Sequence, residues 1–181
     1  MPWAINSPRR DMLCFNRRQL LILGGTSVAV AVLGADELLA GQAGELVGSR
    51  YPARRIGKLA DLKAKTPIEF TYPNKDVTNV LLKLGERAGA GIGPDQDVVA
   101  FNTVCPHMGG PVGADTYKAM HNVLGPCPLH LTTFDLTRHG IVVSGHATES
   151  LPQIMLEMRK DEIWAVGVMG LVYGFAANPI A

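Results

Sequence analysis

From about Tyr51 onward the apolar residues alternate with polar ones or form short runs that turn residues interrupt, and no stretch repeats with the helical spacing long enough for a core helix. That period of two predicts antiparallel strands. The runs place them at Arg54–Lys58, Ile68–Tyr72, Val77–Leu84, Val98–Val104, Phe134–Leu136, Ile141–Ser144, Gln153–Arg159, Ile163–Val168 and Leu171–Tyr173. Turns fall at Pro73–Asp76, Gly89–Pro94, Arg138–Gly140, Lys160-Asp161 and Met169-Gly170, and residues 59–65 are left for one short helix. Short strands spaced this way bury their apolar faces only in closed or sandwiched sheets, so the predicted fold class is all-β, an antiparallel sandwich or barrel.

Before Tyr51 the pattern changes. Asn16-Arg17-Arg18-Gln19 runs directly into the apolar stretch Leu20–Ala35, which Asp36 and Glu37 end. Paired arginines ahead of such a stretch read as a twin-arginine export signal. The stretch is interrupted by Gly24, Gly25 and Gly34 and falls short of the ~20 apolar residues a membrane span needs. Gly41-Gln42-Ala43 offers small residues at both cleavage positions, so residues 1–43 are read as a signal peptide and 44–181 as one folded domain; retention as an uncleaved anchor is the competing outcome. The domain is expected in the periplasm, with no stable membrane span after cleavage.

Charge removes one class of partner. The chain holds 17 Lys and Arg against 16 Asp and Glu, and the leader takes four Arg and three acids of these, so the remaining domain is close to neutral and offers nothing to nucleic acid. Three cysteines are present, of which Cys14 lies in the leader.

The other two carry the chemistry. Cys105-Pro106-His107 and Cys127-Pro128-Leu129-His130 form a C-x-H … C-x-x-H pattern, one thiolate and one imidazole from each segment. A Rieske [2Fe–2S] centre requires this, because two Cys hold one iron and two His the other. A structural zinc site would more naturally pair like ligands on one turn, and the single-residue gap between Cys105 and His107 suits that poorly. A mononuclear zinc or copper site and chance placement are the competing readings. Gly109, Gly110, Pro111 and Gly113 follow the first pair and Gly125-Pro126 precede the second, so both pairs sit on turns, with cluster-binding loops at about 104–135. The expected cofactor is one [2Fe–2S] cluster held by Cys105, His107, Cys127 and His130, and the two loops should lie together at one end of the fold.

The chain resembles the small Rieske subunit of periplasmic arsenite oxidase, a family that includes the small subunit of iodate reductase. Beyond the ligands, Phe70-Thr71-Tyr72-Pro73, Gly93-Pro94-Asp95-Gln96-Asp97, Thr133-Phe134-Asp135, Gly145-His146-Ala147-Thr148 and Val166-Gly167-Val168 carry the likeness. The resemblance implies an electron-transfer subunit without a substrate pocket, a large molybdopterin and iron–sulfur partner subunit, and a soluble carrier such as cytochrome c. Many Rieske proteins join the two loops by a disulfide, and the matching positions here are Gly110 and Leu129, so no bridge is expected. Respiratory members also place a Ser and a Tyr after the second His as donors to sulfur. The matching Thr132 keeps a hydroxyl and Phe134 does not, which implies an intermediate potential. Of the remaining histidines, His121, His139 and His146, none is expected to ligate, and His121, lying between the ligand segments, is the first candidate for partner contact.

Overall fold

The computed structural model describes residues 51–178. The export signal, its cleavage position and Cys14 lie outside the described residues.

The strands are β1 (Arg54–Lys58), β2 (Ile68–Thr71), β3 (Thr78–Lys83), β4 (Val98–Asn102), β5 (Tyr117–Lys118), β6 (Val123–Leu124), β7 (Thr133–Asp135), β8 (Ile141–Ser144), β9 (Gln153–Arg159) and β10 (Glu162–Met169). They form a six-stranded sheet in the order β1-β10-β9-β4-β3-β2 and a four-stranded sheet in the order β5-β6-β7-β8, with every adjacent pair antiparallel. The small sheet is inserted between β4 and β9. The expected all-β architecture is therefore observed.

The central strands explain their own composition. In β3 and β4, Val80, Leu82, Val99 and Phe101 face the core between the sheets, while Leu81, Val98 and Ala100 face a second core with Tyr72, Ile154, Ile163 and Ala165. Strands covered on both faces must be apolar at nearly every position. The larger sheet also curls toward closure: the Arg54 guanidinium on edge strand β1 donates to the Thr71 and Pro73 carbonyls at the end of the opposite edge, β2, at 3.1 and 3.0 Å.

Two expectations are corrected and one pair of strands is added. The helix read over 59–65 is a single 3-10 turn at Leu59–Asp61. Leu171–Tyr173 is not a strand: the Val172 N–H donates to Asn178 Oδ1 and the Phe175 N–H to the Val172 carbonyl, so side-chain and turn bonds take the groups a ladder would need. The two-residue strands β5 and β6 are additions, too short to show a period. Asn122, fully buried at φ 51°, holds their turn by accepting from Lys65 Nζ at 2.7 Å and Tyr117 Oη at 2.8 Å and by donating to Glu86. Among the described residues no helix is long and apolar enough to cross a membrane.

Candidate metal centre

The first ligand segment leaves β4, and the second joins β6 to β7. A buried asparagine sets the departure of the first: Asn102 donates to the Thr78 carbonyl at 2.8 Å, and its Oδ1 accepts from the Val104 N–H at 3.1 Å, beside Cys105. Both segments then close in the same way. The Cys105 N–H donates to the Gly110 carbonyl and the Gly109 N–H to the Cys105 carbonyl; the Cys127 N–H donates to the Thr132 carbonyl and the Leu131 N–H to the Cys127 carbonyl, all at 2.8–2.9 Å. The fourth residue after each cysteine stands in the left-handed region, Gly109 at φ 74° and Leu131 at 60°. The two loops thus repeat one backbone device and differ only in where the histidine falls on it.

Cys105 and Cys127 carry free thiols, each 1% exposed and part of the core between the sheets. Burial pushes the Cys105 thiol up, backbone N–H groups at His107 and Met108 oppose this, and the neighbouring Cys127 adds to the rise. Such a thiol stays protonated until a cation takes the proton's place. The His107 and His130 rings meet edge to face, centroids 4.6 Å apart. The Nδ1 atom of each is buried and has no hydrogen-bond partner. Leaving such a nitrogen unpaired costs about 1–3 kcal/mol. Two of them on touching rings beside two buried thiols fit a centre that takes two ligands of each kind. Among the described residues no group of three or more His, Cys, Asp or Glu is set to hold a single ion.

Gly110 and Leu129 face each other across the loops, as the disulfide comparison implied. A Cβ at Gly110 would stand 3.0 Å from Leu129 Cγ, so the loops meet there by apolar contact in place of a covalent bond. Phe134 is completely buried in the same core as the thiols. Thr132, also completely buried, spends its Oγ1 on a third segment, accepting from the His146 N–H at 3.1 Å and the Ala147 N–H at 3.3 Å. Gly145 makes this approach possible: at φ 100°, a Cβ there would fall on the Thr132 backbone.

This third segment brings a histidine other than His121 beside the ligand rings. The His146 ring lies 6.0 Å from that of His107, centroid to centroid, and 6.2 Å from that of His130. His121 is exposed on the β5–β6 turn, and His139 is tied to Gln153 Oε1 at 2.9 Å. No periodicity could place His146, because a left-handed glycine and a side-chain hydroxyl 14 positions earlier bring it in. Beside the ligand histidines in the chain, Met108, Leu129 and Leu131 are all more than half exposed, and Tyr173 rests over Gly109.

The Rieske [2Fe-2S] domain family matches residues 54–155, more than half of the chain. The chain is 59% identical to iodate reductase subunit IdrB of Denitromonas iodatirespirans over 93% of its own length and 89% of the relative's. It is 58% identical to iodate reductase subunit IdrB of Pseudomonas sp. (strain SCT), over 91% and 85%. In fold it is similar to the soluble domain of the Rieske protein II (soxF) from Sulfolobus acidocaldarius, with a TM-score of 0.64 at 21% identity over 73% of this chain and 85% of that one. With the family's pattern on two matching loops of an all-β fold, the chain belongs to the Rieske [2Fe-2S] domain family and carries one Rieske-type [2Fe–2S] cluster.

Proposed function

We propose that this chain is the electron-transfer subunit of a periplasmic iodate reductase complex, and that Cys105 and Cys127 hold one iron of its cluster while His107 and His130 hold the other through Nδ1. The observation that carries the reading is the identity of 59% to an iodate reductase subunit across nearly the whole of both chains. It favours iodate over the arsenite oxidase that the sequence motifs first suggested. The partner is a large molybdopterin subunit with an iron–sulfur cluster of its own, and the electron source is a soluble carrier such as cytochrome c. The twin-arginine leader delivers the loaded domain to the periplasm.

A bound Rieske cluster supplies one-electron transfer, at a potential that imidazole ligation raises into the range of about −150 to +300 mV. The chain's own residues do the rest. The paired loop turns hold four ligands at fixed spacing, so little rearranges when one electron arrives. The core between the sheets keeps water from the thiolates, and the apolar rim of Met108, Leu129 and Leu131 lets a partner approach the imidazole edge without stripping water from charges.

The test is the complex purified from its own host with the cluster reduced beforehand. Iodate should reoxidise the cluster, and so abolish its electron paramagnetic resonance signal, only when the large subunit is present. Reduction of the oxidised cluster by arsenite, with no response to iodate, would overturn the substrate assignment. Substituting any of Cys105, His107, Cys127 or His130 by Ala should abolish the signal, and a variant that keeps it removes that residue from the ligand set.

A further inference from the structure

Outside the four ligands, one side chain is brought to the site by a turn that the second ligand loop itself anchors. The His146 ring lies 6.0 Å from that of His107 and inclined 23° to it, and 6.2 Å from that of His130 at 74°. The turn bearing it is pinned at two amides by the buried Thr132 hydroxyl. Gly145 occupies a conformation that other residues rarely adopt, so that the turn can press against Thr132. Thr132 also accepts the Cys127 N–H, so a single residue ties the third histidine to the second ligand loop.

We propose that His146 is a positioning residue for the centre: its ring lies along His107, restricts the plane that ligand adopts, and covers the imidazole edge against water. Each iron has its full share of protein ligands in the two loops, so His146 is not needed as a fifth. Its effect comes from solvation. A Rieske centre gains one negative charge on reduction, and water at the imidazole edge stabilises that charged form more than the oxidised one. A ring that displaces water there therefore keeps the potential lower than open access would.

The inference rests on the ligand assignment above and not on the partner's substrate, so the test uses the whole loaded protein without iodate. Redox titration followed by paramagnetic resonance gives two readouts, potential and g-values, and iron content gives a third. His146→Ala should retain its iron and its signal, unlike a ligand variant, while its potential moves up and its g-values change as His107 gains freedom. His146→Phe restores cover without a ring nitrogen and should return the potential toward that of the natural protein. His121→Ala, which removes an exposed histidine away from these rings, should change neither. The proposal is overturned if His146→Ala leaves the potential where it was or lowers it, if His146→Phe does not recover, or if His121→Ala shifts as far. Loss of iron in His146→Ala would overturn it as well, since that marks a ligand.

Discussion

Thr132 links the ligand loop to the segment that covers it, so its hydroxyl is the most informative single atom group to remove. Thr132→Val keeps the shape and deletes the acceptor, leaving the His146 and Ala147 amides unpaired. Ala147 is buried, so its amide carries the full penalty of an unsatisfied donor, about 1–3 kcal/mol. His146 is exposed, and its amide turns to water at a smaller cost. The sum is a loss of about 2–3 kcal/mol, a large fraction of the 5–15 kcal/mol by which domains are typically stable. Thr132→Ser keeps the acceptor and deletes one buried methyl, for about 1 kcal/mol. Urea unfolding of the loaded protein, followed by the visible circular dichroism of the cluster and by tryptophan emission, ranks the variants, and agreement of the two probes shows that one transition is being measured. Valine as stable as threonine, or serine as damaging as valine, would refute the role of the hydroxyl.

Tyr72 has a completely buried hydroxyl with no partner, and burial pushes its pKa up to about 12 from 10.0. The raised value means stability is full below pH 10 and is lost between about 10 and 12, so Tyr72→Phe should unfold later in alkali and be no less stable at neutral pH, as a pH series of urea midpoints would show. Asp97, buried, accepts from Lys83 Nζ and the Gly85 N–H at 2.8 and 3.1 Å, and this bond raises the Lys83 pKa above its ordinary 10.5. Asp97→Ala should cost about 2–3 kcal/mol at neutral pH in the same assay, reduced from the full buried-pair value because Lys83 reaches solvent; in the natural protein this contribution is lost as pH rises past 10.5. Replacing Arg17 and Arg18 by Lys should strand the precursor in the cytoplasm, and normal periplasmic accumulation on fractionation would refute the export assignment.

The sequence alone determined whatever depends on local pattern. Short apolar or alternating runs between turn residues mark the strands at 54–58, 141–144 and 153–159, and the structure places them at those bounds. The alternating Cys and His on glycine-rich turns identified the kind of centre, because ligand type and count follow from coordination chemistry and not from folding. Strands of two residues were invisible, since β5 and β6 exist only through their pairing and the buried Asn122 beneath them. The apolar Leu171–Tyr173 read as a strand, yet it lies over the first loop, with Tyr173 packed where a Gly109 side chain would be. The surroundings of the ligands were likewise a tertiary matter. Thr132 could be named as a hydroxyl near the second histidine, but only the fold shows that its oxygen accepts amides from a segment 14 and 15 residues away and so carries His146, not His121, to the imidazoles. Hydrogen bonds between segments distant in the chain have no period to betray them; they form only after both cores have packed and brought those segments within reach.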